Sequence, residues 1–211
     1  SDIEYLVEHK PKGSIVLVDE AYIHFSDAPT AVDLVKADKE IIVLRTFSKL
    51  YGMAGLRCGM AIGRPDLLAK MEAQGGWNAM PVTAVAAAKA SLNHAGLVEE
   101  RRRVNREVRQ ETFAWLDGHG YSYIPSESNC FLLDSKRDGK SVIAAMAKQN
   151  VMIGRIWPVL PTHVRITVGT RDEMRQFQTA FEKVMSGATV AWSIRTQKPM
   201  LRHMDGVRVR S

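Results

Sequence analysis

The chain has 211 residues, of which 45% are hydrophobic and 25% charged, with a formal net charge of +6. That length buries a sizeable core in one or two domains, and the composition excludes disordered and fibrous classes. No uncharged apolar run reaches bilayer length and no secretory signal opens the chain, so a cytoplasmic location with no membrane partner is expected.

Cys58 and Cys130 make no disulfide framework, and small hydrophobes in strands is the plainer reading of both. From residue 188 onward Arg195, Lys198, Arg202, Arg208 and Arg210 stand against Asp205 alone, so the charge is concentrated in the tail. The tail has no aromatic stacking series and no binding motif, so nucleic acid is not an expected partner. It also lacks apolar periodicity, which predicts a flexible or adventitious segment over 188–211.

In chain order, Asp2 to Lys10 reads as a short helix with Ile3, Leu6 and Val7 on one face. Ser14 to Asp19 is a continuous apolar run, as expected of a strand covered on both sides. Thr30 to Ala37 reads as a helical turn, and Glu40 to Leu44 and Cys58 to Ile62 as further buried strands. Pro65 to Gln74 reads as a helix with proline in its first turn. Strands alternating with short helical pieces predict a largely parallel sheet.

Gly75-Gly76 is a break. Pro81 to Asn93 is alanine-rich and helical, with Gly96 as an interruption. Leu97 to Asp117 is a long charged helix with Val98, Val104, Val108, Phe113 and Leu116 as its inward stripe. Its five arginines from Arg101 to Arg109 interleave with Glu99, Glu100, Glu107 and Glu111, which predicts a solvated, ion-paired face. Strands follow at Tyr121 to Ile124, Cys130 to Leu133, Val151 to Ile153 and His163 to Val168. Helices are expected over Ser141 to Gln149 and Arg171 to Met185, giving a small α+β unit.

The chemistry concentrates in Arg45-Thr46-Phe47-Ser48-Lys49-Leu50-Tyr51-Gly52-Met53-Ala54-Gly55-Leu56-Arg57-Cys58-Gly59. A lysine amine forms a Schiff base with an aldehyde. Ser48 and a nearby glycine-rich backbone can donate hydrogen bonds to a phosphate, and Arg57 can grip one with a planar fork. Upstream, Val16-Leu17-Val18-Asp19-Glu20-Ala21-Tyr22 ends an apolar strand in a carboxylate and a phenol. A carboxylate there suits a protonated pyridine nitrogen. Taken singly, Lys49 fits a solvated surface charge, Asp19 a turn or cap, and Tyr22 a half-buried core residue. The flanking Thr46, Ser48, Gly52, Gly55 and Arg57 favour the functional reading of Lys49, and the spacing of DxxY before SxK favours it for Asp19 and Tyr22. There is no HExxH, CxxC, Walker loop or GxSxG, and the six histidines are scattered, so no metal site is expected.

DEAY at Asp19–Tyr22, TFSKLYGMAGLRCG at Thr46–Gly59, SNCF at Ser128–Phe131 and VRITVG at Val164–Gly169 together resemble the fold-type I pyridoxal-phosphate (PLP) aminotransferases, and most closely the histidinol-phosphate aminotransferase group. The resemblance covers residues 1–187 and matches the later half of the family. It implies an α/β fold: part of a PLP-binding large domain with a mostly parallel sheet over 1–76, interdomain helices and a small α+β domain over 77–187, and the tail beyond.

The resemblance also implies a cofactor, pyridoxal 5′-phosphate, on Lys49, with Asp19 at the ring nitrogen, Tyr22 at the 3′ oxygen, and Thr46, Ser48 and Arg57 in the phosphate cup. Arg165 is implied to bind the substrate's anionic group and Asn129 to lie near substrate and cofactor; Arg155 is a weaker candidate for the same role. The implied reaction moves an amino group between an amino donor and a 2-oxo acid, in a homodimer. The resembling enzymes are nearly twice this length, and their first half supplies the ring-stacking aromatic and further phosphate donors. The chain is therefore expected to start partway through the large domain. The competing expectation is a non-catalytic remnant of the fold that only self-associates.

Overall fold

The computed structural model describes residues 1–75 and 80–187. The expected break at Gly76 and the basic tail lie outside the described residues.

Helix α1, Asp2–His9, starts with a capping box: the Ser1 hydroxyl accepts from the Glu4 amide while the Glu4 carboxylate returns to the N-cap backbone. Strand β1, Val16–Asp19, pairs parallel with β2, Ile41–Thr46, in the register Val16↔Ile41 to Asp19↔Leu44. Strand β3, Gly59–Gly63, pairs antiparallel with β2, from Ile42↔Gly63 to Thr46↔Gly59. Because side chains alternate across a strand, Val16, Val18, Ile41, Val43 and Ile62 share one face. That face is covered by Ile3 and Val7 of α1 and by Val32, Leu34 and Val35 of the region around α2, Val32–Lys36. The opposite face presents Leu17, Asp19, Leu44 and Thr46.

Helix α3, Pro65–Glu72, carries proline in its first turn, and α4, Val82–Asn93, follows. Gly96, at φ 79°, is the N-cap of α5, Leu97–Gly118. A left-handed backbone there separates α4 from α5 with no Cβ penalty.

A second sheet is antiparallel throughout, in the order β4 (Ser122–Ile124), β5 (Cys130–Asp134), β6 (His163–Thr167). Helices α6, Gly139–Ala147, and α7, Arg171–Ser186, pack on it with the C-terminal part of α5. Phe131, Leu133, Val164 and Ile166 from the sheet meet Val142, Met146, Phe177 and Phe181 from the helices. Each such side chain, fully buried, contributes about 1.5–3 kcal/mol.

The first sheet is mixed rather than mostly parallel: the β1–β2 pair is parallel, as expected, and β2–β3 is not. A parallel return needs a crossover, usually a full helix. The connection from β2 to β3 contains only a single 3₁₀ turn, Ala54–Leu56. The strand expected over Val151 to Ile153 is extended chain without ladder pairing. In the α5 stripe, Val108, Phe113 and Leu116 are buried, whereas Val104 is exposed. The arginine face of α5 also differs. Arg103 pairs with Glu107 one turn on, as expected, but Arg101, Arg102, Arg106 and Arg109 reach other segments of the chain.

Candidate active site

The first cleft lies at the carboxyl ends of β1 and β2, where α/β sheets usually present ligands. It encloses about 650 Å³ and is lined by Asp19, Thr46, Ser48, Lys49 and Arg57, with Ala21 and Met60 among the others. Five of the eight site residues expected from sequence therefore share one cavity. Asp19 is exposed, and its Oδ1 accepts from the Ala21 amide at 2.9 Å, which leaves the second oxygen free of that turn. Lys49 Nζ lies 5.2 Å from the centroid of the Tyr22 ring, within range of a cation–π contact.

Local hydrogen bonds fix the Lys49 loop. The Phe47 amide donates to Cys58 O at 3.1 Å, the Gly52 amide to Lys49 O at 3.0 Å and the Met53 amide to Phe47 O at 3.0 Å. Gly52 has φ 71°, a region glycine enters freely. Gly59 is required for another reason: a Cβ there would stand 2.9 Å from Arg45 O. Thr46 lines the cleft, but its hydroxyl accepts from the Ser48 amide at 3.0 Å and faces Cys58 O at 3.4 Å. The turn thus occupies the Thr46 hydroxyl, whereas the Ser48 hydroxyl and the exposed Arg57 guanidinium face the cleft with donors to spare. Arg57 is exposed, in a left-handed conformation with φ 53°, and its Nη1 donates to Ala54 O at 2.9 Å.

A second cleft of about 350 Å³ is lined by Tyr22, Ser126, Ser128, Arg155, Trp157 and Arg165, among others. Tyr22 belongs to this cleft and touches Lys49 of the first, so it links the two. The Arg165 amide donates to Arg155 O at 3.1 Å and the Gly154 amide to Arg165 O at 3.3 Å, which sets the two arginines side by side. Arg155 lies 5.9 Å over Trp157. The buried Arg165 Nε has no partner among the described residues. Asn129 lines neither cleft, although both its neighbours Ser128 and Cys130 line the second. Its carbonyl accepts from the Val168 amide at 2.8 Å and ties the segment to the end of β6.

Sequence reasoning did not single out Glu20, which is 6% exposed. Its carboxylate accepts from the Ala31 amide at 2.6 Å, from Thr30 Oγ1, and from Arg45 Nε at 2.9 Å and Nη2 at 2.8 Å. Arg45 alternates with Thr46 along β2 and itself borders the cleft, while its guanidinium is held by Glu20, which does not line it. Alternation past β1, with Val18 and Glu20 on the same side, was the available signal. Burial pushes the His24 imidazole below its ordinary value, and the nearby Arg45 and Arg102 push the same way.

The family model described as aminotransferase class I and II matches residues 1–181. Among curated proteins, the chain is 34% identical over 187 residues to the histidinol-phosphate aminotransferase of Symbiobacterium thermophilum, covering 88% of this chain and 52% of that protein. It is 31% identical over 194 residues to the corresponding enzyme of Brevibacillus brevis, covering 89% of this chain and 53% of that one. A solved Erwinia carotovora atroseptica protein assigned to the histidinol-phosphate aminotransferases superposes with a TM-score of 0.82 at 30% identity, over 88% of this chain and 55% of that one. The fold is also that of the Sinorhizobium meliloti histidinol-phosphate aminotransferase in complex with pyridoxal-5′-phosphate, with a TM-score of 0.76 at 24% identity, over 88% of this chain and 53% of that one. The chain spans about half the length of the curated relatives it matches. It belongs to the aminotransferase class I and II family.

Proposed function

We propose that this chain carries the later-half apparatus of a histidinol-phosphate aminotransferase-like PLP transaminase, with Lys49 as the residue that bonds the cofactor's aldehyde carbon. The observation that carries this reading is the position of Lys49 Nζ, 5.2 Å from the Tyr22 ring centroid, in a cleft that Asp19, Ser48 and Arg57 also line. The donor set fits pyridoxal 5′-phosphate: a carboxylate for the ring nitrogen, a phenol for the 3′ oxygen, an amine for the aldehyde, and a hydroxyl and a guanidinium for the phosphate. When bound, the cofactor's ring takes up the electron pair left at the substrate Cα.

The chain's own residues then have separable tasks. Asp19 holds the proton on the ring nitrogen, and Tyr22 orients the 3′ oxygen. Ser48 and Arg57 anchor the phosphate, with Thr46 shaping the turn that presents Ser48. The Lys49 amine would act as the general acid–base that takes and returns the proton at the substrate Cα. Arg165, with its unpartnered buried Nε, receives the substrate's anionic group. Arg155 supports it from the neighbouring extended segment, and Asn129 stays in the proposal as a residue near substrate and cofactor.

An amino donor departs as its 2-oxo acid, and an acceptor 2-oxo acid leaves as the amino acid, so no external oxidant is needed. The division at 76/77 and 187/188 belongs to the same proposal, as do a homodimeric full-length form and a cytoplasmic location. Among the described residues no helix is long and apolar enough to cross a membrane.

Exposed Ile15 and Leu17 on and beside β1 favour a second reading, a partial fold that self-associates through this sheet. Borohydride reduction in the presence of pyridoxal phosphate separates the two. Mass spectrometry is expected to place a phosphopyridoxyl group on Lys49, with loss of a visible absorbance band. Adducts confined to other lysines would remove Lys49 from the proposal and leave the self-associating remnant.

A further inference from the structure

Helix α5 reaches three separate segments, and each adjoins a proposed site residue. Arg101 Nη1 donates to the carbonyl of Leu50, directly after Lys49, at 2.9 Å. Arg102 Nε donates to the carbonyl of His24, two residues after Tyr22, at 2.8 Å. Arg102 Nη1 and Arg106 Nη2 close on the two oxygens of Asp27 at 2.8 and 2.6 Å. Arg109 Nη1 donates to the carbonyls of Glu127 and of Ser128, directly before Asn129. At 100° per residue, these four arginines fall within an arc of about 140° on one side of the helix.

None of these links is needed for helix stability, since a surface arginine on α5 is satisfied by water. Arg109 is only 3% exposed, and its Nε has no partner among the described residues. Burying a guanidinium is costly unless it is hydrogen-bonded, and the bonds that offset the cost here go mainly to backbone carbonyls of one loop. The carbonyls it grips belong to the loop before β5. They are backbone groups, and their position is the position of the loop.

We infer that the α5 arginine row is a positioning device, a splint that sets the Lys49, Tyr22 and Asn129 loops against one another from a single rigid helix. The inference rests on the reading of those three residues as site residues. Arg101 governs the Lys49 loop, the Arg102–Arg106–Asp27 clasp governs the Tyr22 loop, and Arg109 governs the approach to Asn129. None of the four is assigned contact with substrate or cofactor; they act through the loops. Arg101 makes one bond, so a lysine can replace it. Arg102 makes two divergent bonds, and a single ammonium cannot reproduce both.

Amide hydrogen exchange on the cofactor-free 211-residue chain tests this directly. R101Q is expected to speed exchange at the Gly52 and Met53 amides roughly tenfold, the scale of one charge-assisted hydrogen bond, while Phe25 and Ser26 keep their rates. D27N, which leaves every arginine in place, is expected to speed Phe25 and Ser26 and spare Gly52 and Met53. R101K should restore the wild-type rate at Gly52, whereas R102K should behave like D27N. With pyridoxal phosphate and borohydride, R101Q should label Lys49 several-fold more slowly and the exposed Lys36 at an unchanged rate.

Unchanged exchange at these amides in both R101Q and D27N overturns the inference. Acceleration spread evenly over both loops and the β2 ladder also overturns it, because that is a general loss of stability. Loop-selective acceleration with no Lys49 adduct even in the wild-type chain supports the splint and removes the cofactor reading on which its purpose rests.

Discussion

Replacing Glu20 by alanine should be among the most damaging single changes outside the apolar cores. Its side chain is 5% exposed and that of its partner Arg45 is 23% exposed. The carboxylate satisfies both guanidinium contacts, the Thr30 hydroxyl and the Ala31 amide. Removing one partner of a fully buried ion pair costs about 3–5 kcal/mol. Water reaches part of Arg45, which argues for the lower end of that range. The stranded Ala31 N–H adds about 1–3 kcal/mol. Together these give a loss of about 4 kcal/mol. With a urea slope of about 2 kcal/mol per molar, the unfolding midpoint should fall by about 2 M. Glu20→Gln keeps an acceptor for Ala31 and should lose roughly half as much. Far-ultraviolet circular dichroism against urea measures both. Asp33→Ala is the control, since its pair with Lys36 is exposed and such pairs contribute about 0–1 kcal/mol. If Glu20→Ala moved the midpoint no further than Asp33→Ala, the pair would be incidental and the reasoning wrong.

Three further outcomes follow from other parts of the molecule. Because burial, then Arg45 and Arg102, lower the His24 pKa from 6.5, the neutral ring is favoured in the folded state. Its contribution to stability is therefore complete above pH 6.5 and is lost as pH falls through the lowered folded value; His24→Gln should flatten that part of a denaturation-versus-pH curve. Phe181 is 0% exposed in the core of the second sheet, so Phe181→Ala should lose about 3–5 kcal/mol in the same urea assay, and a loss below 1 kcal/mol would contradict the packing described. Arg165→Lys keeps the charge and loses the fork, so calorimetric affinity for inorganic phosphate should fall roughly tenfold; unchanged affinity would take Arg165 out of anion binding.

Much of the site was legible because its residues sit in short motifs at strand ends. Asp19 closes an apolar run, and Lys49 follows Thr46 and Ser48 in a turn that their hydroxyls and amides build locally. Arg155 lies outside those motifs, and only the backbone bonds seen in the fold bring it beside Arg165. The direction of β3 was not legible. An apolar run such as Gly59–Gly63 reads the same in either direction, and only the absence of a crossover helix decides it. The partners of the α5 arginines are illegible for a similar reason. Their spacing from glutamates on the same helix predicted local pairs, yet Arg101, Arg102 and Arg106 find partners 51 to 79 residues away. Helical periodicity describes the neighbours of a residue on its own helix and carries no information about what packs across from it.

Arg57 holds one further consequence. Its backbone stands at φ 53° and ψ 53°, a left-handed conformation uncommon for residues other than glycine; Asp38, Lys136 and Asn150 also have positive φ. Glycine at that position would relax a conformation that disfavours ordinary residues by about 1–2 kcal/mol. Selection for thermal tolerance alone would therefore favour Arg57→Gly, while the same change would strip the cleft of its guanidinium. Stability and purpose pull in opposite directions at this one residue. A library ranked only by melting temperature would promote sturdier chains that had lost the guanidinium proposed to hold the phosphate.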